Sequence, residues 1–155
     1  MEAPESNSNE SREIAQRWCE AKGLGWLLGN PLGKGGTAPV FEVTSPHGAR
    51  ALKIYDRKFC TGETGELEQK RLAEQLSLMG HECPHLVDIY EGGRTEGRLF
   101  LLMGRAPGVE LEKKLATFPR SQIRNVVDKV ARAAIFLRDQ GFCHRDIKAA
   151  NIFYQ

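Results

Sequence analysis

Between Trp26 and Met103 the hydrophobic positions come in short, strand-length runs, interrupted once by a segment at helical spacing. Trp26–Leu32 predicts a strand that runs into "GKGG". "VFEV" (Val40–Val43) predicts a second strand and "ALKIY" (Ala51–Tyr55) a third. "SPHG" (Ser45–Gly48) puts proline in a turn position and glycine at its end, so the second and third strands form a hairpin. Thr61–Gly80 carries Leu67, Leu72, Leu76 and Met79 at helical spacing. "LVDIY" (Leu86–Tyr90) and "RLFLLM" (Arg98–Met103) predict two more strands joined by a glycine-rich turn.

Beyond that block the pattern turns helical. "APG" (Ala106–Gly108) marks a break, "VELEKKL" predicts a short helix, and Ser121–Gln140 a long one. In the long helix Ile123, Val126, Val127 and Val130 lie close to one face, and from Val130 to Leu137 only Arg132 interrupts the apolar surface. Such a segment demands burial on several sides. With no further helical segment after it in this sequence to supply that cover, Ile135, Phe136 and Leu137 are expected to stay partly exposed, a surface for a partner or chaperone, at about 1.5–3 kcal/mol of forfeited burial for each side chain. Ahead of the strands, Met1 to about Ser11 reads as a disordered tail. A short helix follows, with Ser11 as its cap, Ile14, Ala15 and Trp18 on one face, and Gly23 at its end.

Composition narrows the class without naming a function. The 155 residues are 41% hydrophobic and 27% charged, which fits one globular domain. A net charge of +2 gives no argument for nucleic acid or a membrane surface. The longest clean apolar run, Leu99–Met103, is far below the roughly 18 residues of a membrane span. The acidic N-terminus is the reverse of a signal peptide. The four cysteines, Cys19, Cys60, Cys83 and Cys143, contain no CxxC and read as reduced cytoplasmic thiols. His81, Cys83 and His85 alternate in "HECPH", but a metal site would need a fourth ligand, so the segment reads as a polar turn.

Candidate chemistry begins at "LGKGGTAPVFEV". Gly33, Gly35 and Gly36 let the backbone approach phosphates and offer N–H donors. A strand follows instead of a helix, which excludes a Walker loop and a dinucleotide fingerprint. A plain glycine-rich turn would read the same way. Lys53 adds information, because lysine is almost never buried without a partner and this one sits amid an apolar strand, on a face with Ala51 and Tyr55. A glycine-rich hairpin, a strand lysine and a helix with glutamates form a specific order, in which the lysine can hold phosphates while a glutamate fixes its direction.

The closing stretch "CHRDIKAANIFYQ" supplies His144, Arg145, Asp146, Lys148 and Asn151. With these residues the sequence resembles the protein kinase superfamily, from about Trp26 onward. Lys148, two places after Asp146, is similar to the serine/threonine kinases, and the compact N-terminal lobe resembles the bacterial eukaryotic-like ones. The resemblance implies an α+β fold: a five-stranded antiparallel sheet plus one helix over 26–104, then a hinge and the start of a C-terminal lobe over 105–155, after a tail and short helix over 1–25. It implies ATP and Mg2+ as cofactors and a protein serine or threonine as substrate.

By the same resemblance, Asp146 accepts or orients the substrate hydroxyl proton, Lys148 offsets charge on the transferring group, and Asn151 holds magnesium. Lys53 grips the α- and β-phosphates. Val40 and Ala51 cover one adenine face and Phe153 the other. Met103 is the gatekeeper, Gly104 to Ala106 meet the adenine edge, and Glu110 contacts ribose. Arg145 pairs with a phosphorylated activation loop, and His144 packs. Glu74 is preferred as the partner of Lys53, with Glu68 the alternative. Two departures stand out. Ala38 replaces the third loop glycine and is followed by Pro39. No Asp-Phe-Gly follows Asn151, so a truncated kinase is expected, with transfer far below that of a complete enzyme. A non-catalytic module that binds nucleotide or a partner is the other reading.

Overall fold

The computed structural model describes residues 4–34, 36 and 38–155. The chain forms two compact units. One comprises the residues up to Gly80 together with Asp88–Arg105, the other His81–Val87 with Ala106–Gln155.

In the first unit, helix α1 (Pro4–Lys22) precedes strands β1 (Leu27–Lys34), β2 (Pro39–Ser45) and β3 (Gly48–Ile54). Helix α2 (Gly62–Leu76) follows, then β4 (Ile89–Thr95) and β5 (Arg98–Gly104). The five strands make one antiparallel sheet in the order β1-β2-β3-β5-β4. This is the expected α+β architecture of five strands and a helix, with α1 added. The β2–β3 hairpin forms where the sequence places it. Ser45 pairs with Gly48, the Ser45 hydroxyl donates to the Gly48 carbonyl (2.8 Å), and its Oγ accepts from the His47 N–H (3.1 Å).

Each face of the sheet is packed by a different helix. Ile14, Ala15, Trp18 and Cys19 of α1 are buried with Phe41, Val43, Leu52, Ile54, Phe100 and Leu102. Trp18 packs edge-on against Trp26, centroids 5.5 Å apart, and Lys22 lies over both rings. On the other face Leu72 joins Tyr55, Cys60, Leu99 and Leu101, with Leu76, Ile89 and Met103 at the margin. Burial of each large apolar side chain contributes about 1.5–3 kcal/mol.

Helix α1 begins at Pro4, where the sequence predicts a disordered tail; residues 1–3 lie outside the described residues. Ser11 is not a cap but a buried mid-helix residue. Its hydroxyl accepts from the Arg98 guanidinium (2.8 Å). Arg98 is itself only 2% exposed. It also donates to the Tyr55 carbonyl (2.6 Å) and pairs with Glu10 (2.9 Å). Thus one side chain from β5 ties α1 to the end of β3, and polar residues that look like a tail have a partner that requires them.

Two glycines explain where sequence spacing misleads. Gly92 and Gly93, expected in a turn, lie inside β4, and the turn falls at Glu96 and Gly97, both at positive φ (48° and 75°). A Cβ at Gly92 would come within 3.0–3.1 Å of Leu76 and Leu72, so the glycine lets α2 approach the sheet. β4 also starts later than expected, since Leu86 turns back to donate to the Cys83 carbonyl (3.1 Å). In α2 the buried line is Gly65, Glu68 and Leu72. Leu67 and Met79 are exposed, although their spacing suggested the core. A Cβ at Gly65 would lie 2.5 Å from the Cys60 carbonyl carbon, so backbone meets backbone there.

The second unit holds β6 (Val109–Glu110), a short helix α3 (Leu111–Lys114), helix α4 (Arg120–Asp139) and β7 (Phe153–Tyr154). Positive φ at Gly141 ends α4, with Gly141 N–H donating to the Arg138 carbonyl and Phe142 N–H to the Leu137 carbonyl (both 2.8 Å). Val126, Ala133 and Leu137 are the buried face of α4, so Leu137 is not exposed as expected and Phe136 is half-buried. Ile123, Val127, Ala131 and Ile135, spaced by four, are exposed. β6 and β7 pair antiparallel, Val109 opposite Tyr154 and Glu110 opposite Phe153. Tyr154 packs edge-on against Phe118 at 4.9 Å. Among the described residues no helix is long and apolar enough to cross a membrane.

Arg98→Met keeps the apolar stem but removes the guanidinium hydrogen bonds to the Tyr55 carbonyl and the Ser11 hydroxyl. It is expected to lower stability by about 2–4 kcal/mol in urea unfolding. A loss under about 0.5 kcal/mol would show that the network contributes little. Glu10 is held below the ordinary carboxylate range, chiefly by the hydrogen bond from Arg57 and further by Arg98, against the opposing effect of burial. Its contribution is complete above that range and is lost as pH falls through the lowered value.

Candidate active site

Antiparallel pairing puts directly opposed residues on one face. Val40 is opposite Lys53, Lys53 opposite Leu101, and Ala51 opposite Met103. The register therefore gathers Val40, Ala51, Lys53 and Met103 on the face away from α1. Ala51 is buried; the other three are half-buried. At the hairpin, an added Cβ would meet nothing within 4 Å at Gly33 or Gly36, so their backbone is open to an approaching group. Gly35 lies outside the described residues. Ala38 is fully buried and belongs to the cluster with Tyr55 and Leu72, so this position packs a methyl group where the resemblance expects glycine. At the end of β5 the Gly104 N–H donates to the Asp88 carbonyl (2.8 Å). Ala106 is half-buried at the start of the second unit's main segment.

Around Lys53 the structure brings in a residue that sequence reasoning did not assign. The Lys53 ammonium stands 4.3 Å from the centre of the Tyr55 ring. Tyr55 is buried, and its hydroxyl pKa is pushed up to about 12, mainly by burial and secondarily by the charge of Glu68. Glu68 is on the buried face of α2 and pairs with Arg71 one turn on. Glu74 is half-buried on the same helix. The period-two pattern already placed Tyr55 beside Lys53; what it lacked was a reason to expect the ring beneath the ammonium.

The second unit carries the loop around Asp146. Arg145 adopts a left-handed backbone (φ 64°), a conformation that costs a non-glycine residue about 1–3 kcal/mol and persists only where surroundings impose it. The Asp146 N–H then donates to His144 Nδ1 (3.3 Å). Asn151 Nδ2 donates both to the Asp146 carbonyl (2.9 Å) and to its Oδ2 (2.8 Å). Lys148 Nζ lies 3.1 Å from the same Oδ2. The Lys148 hydrogen bond first, and the Asn151 hydrogen bond second, hold the Asp146 carboxyl below its ordinary range. Asp146 is therefore ionised at neutral pH, and its side chain is exposed to solvent. Glu110 is paired with Lys113 (2.8 Å), and Phe153, opposite it in the β6–β7 ladder, is exposed.

Asn151 fits a cation ligand in one respect. Its amide nitrogen is committed to Asp146, which turns the amide oxygen into the acceptor available to a hard cation. Among the described residues no group of three or more His, Cys, Asp or Glu side chains gathers as a metal cluster.

Comparison with known proteins identifies the family and the fold. The model of the protein kinase domain family covers residues 26–155. A rice CBL-interacting protein kinase 4 is 30% identical over 132 residues, 81% of this chain and 29% of that protein. Serine/threonine-protein kinase PknJ of Mycobacterium tuberculosis is 30% identical over 131 residues, 82% of this chain and 22% of that protein. The chain thus spans less than a third of the length of these curated relatives. The crystal structure of the Mycobacterium tuberculosis PknI kinase domain superposes with a TM-score of 0.72 at 22% identity, over 85% of this chain and 56% of that one. That likeness is one of fold.

If Lys148 and Asn151 hold Asp146 ionised, removing either partner must raise its pKa. In an NMR titration of the carboxyl carbon, Lys148→Met is expected to move the Asp146 midpoint up toward the ordinary aspartate value, and Asn151→Ala to move it less. An unchanged midpoint in both variants would mean the loop geometry has no electrostatic consequence.

Proposed function

The chain belongs to the protein kinase family, and from that premise we propose that it binds ATP with magnesium and directs the terminal phosphoryl group to a serine or threonine hydroxyl of a protein. The observation that carries this reading is the Asp146 loop, in which an exposed, ionised carboxylate is fixed by a lysine and an amide. Both curated relatives are named as protein kinases, and PknJ as a serine/threonine kinase.

In this reading Asp146 orients the substrate hydroxyl and takes its proton as the oxygen attacks. Lys148 offsets negative charge on the transferring group. Asn151 offers its amide oxygen to magnesium, which when bound neutralises phosphate charge. Lys53 holds the α- and β-phosphates, and the open backbone at Gly33 and Gly36, with Gly35 between them in sequence, lets the loop approach them. Val40 and Ala51 supply one apolar surface for adenine and Phe153 another. Met103 is the gatekeeper, Gly104 and Ala106 flank the segment that meets the adenine edge, and Glu110 reaches ribose. For the glutamate that orients Lys53 we favour Glu68 over Glu74. Glu68 lies on the buried face of α2 and perturbs the tyrosine over which Lys53 rests. The four free thiols suit a cytoplasmic setting.

Thermal-shift titration with Mg-ATP is expected to stabilise the protein. Lys53→Met should weaken apparent affinity by about tenfold or more, as loss of a charge-assisted phosphate contact does. Absence of any nucleotide-dependent shift would overturn the reading. Glu68→Gln is expected to weaken binding more than Glu74→Gln, and the reverse order would restore Glu74 as the partner. Asp146→Asn should leave nucleotide affinity within about twofold, since this carboxylate is assigned to the hydroxyl. Nucleotide binding with no transfer to a serine/threonine peptide library would favour the binding-module reading instead.

A further inference from the structure

The lysine assigned to the phosphates sits on a long, flexible stem, and something must restrict it if it is to meet a ligand in one geometry. The acidic partner usually invoked for this is a glutamate on the helix. In this chain the geometry adds a different support. Tyr55, two residues along β3, turns its ring to the same face as Lys53, and the ammonium stands 4.3 Å from the ring centre, well inside the roughly 6 Å reach of a cation–π contact.

Tyr55 is also unusually fixed. Only 2% of it is exposed. Its N–H donates to the Leu99 carbonyl (2.9 Å), and its own carbonyl accepts from the buried Arg98 (2.6 Å). Its ring packs in the cluster with Leu72, Leu99 and Leu101. The ring is therefore a rigid platform, braced from the strand on one side and the helix on the other. Its phenol stays neutral throughout the physiological range, since burial and the Glu68 charge push its pKa to about 12.

We infer that Tyr55 is a positioning residue that seats the Lys53 ammonium on its ring face and so presents it to nucleotide phosphates. This rests on the assignment of Lys53 to phosphate binding, but the seat itself is a property of the protein without ligand. It separates two roles: Glu68 supplies direction through charge, and the Tyr55 face supplies a preformed resting place.

Two measurements on the whole chain separate the possibilities. In the free protein, the Lys53 ε-methylene protons are expected upfield of those of exposed lysines, because they lie over an aromatic face. The shift should persist in Tyr55→Phe and vanish in Tyr55→Leu. Unshifted ε-protons in the unliganded protein would overturn the seat whether or not nucleotide binds. With Mg-ATP, Tyr55→Leu is expected to weaken binding about three- to tenfold, and Tyr55→Phe to keep it within about twofold. A purely structural tyrosine would lower the melting temperature of Tyr55→Leu without altering affinity, and that result would also overturn the inference. Failure of Lys53→Met to affect nucleotide binding would instead count against the assignment of Lys53, leaving the proton shift as the independent reading of the seat.

Discussion

Strand β3 is paired along both edges, and its register decides what everything else can touch. Leu52 and Ile54 point into the α1 cluster; Ala51, Lys53 and Tyr55 point the other way. A slip of one residue against β2 or β5 would exchange the two sets, bringing a lysine under Trp18 and two aliphatic side chains to the opposite face. Because both faces are packed, such a slip would disrupt two clusters at once. The site residues of the first unit inherit their placement from this constraint. Val40 and Met103 face the same way as Lys53 because they are opposed, directly or through Ala51, in the same ladders.

A second constraint acts at the strand's end. Arg98 carries a full charge into the interior, where it is acceptable only with each guanidinium direction matched to an acceptor. The Tyr55 carbonyl, Glu10 and Ser11 provide this. The outcome is a specific docking of α1, in which Glu10 and Ser11, neighbours in sequence, both meet the same guanidinium. The same contact clamps the backbone of Tyr55, so the fixing of the first helix and the rigidity of the residue under Lys53 share one cause.

Much of this was legible in the sequence. The β2–β3 turn, the strand lysine and the Asp146 loop follow from local chemistry, and local chemistry is what a single sequence records well. The losses have a common character. Gly92 reads as a turn residue because its true reason, the approach of Leu72 and Leu76, lies on a distant helix. Leu67 and Met79 follow helical spacing, yet the line that is buried runs through Gly65 and a carboxylate, which hydrophobic periodicity cannot register. Glu10 and Ser11 look like tail because their partner is on β5, far away in sequence. In the candidate site, residue types and order were readable. The mutual arrangement of Asp146, Asn151 and Lys148, which sets the charge state of the aspartate, was not.

The edge-on contact of Trp18 with Trp26 has a consequence of a different kind. These are the chain's two tryptophans, and both lie in the α1 layer of the first unit. Intrinsic indole emission is therefore a local optical gauge. It reports how firmly the first helix sits on the sheet and is silent about α4 and the Asp146 loop. A fluorescence melt of this protein would describe the peeling of one layer, and only a second probe in the other unit could say whether the whole chain unfolds with it.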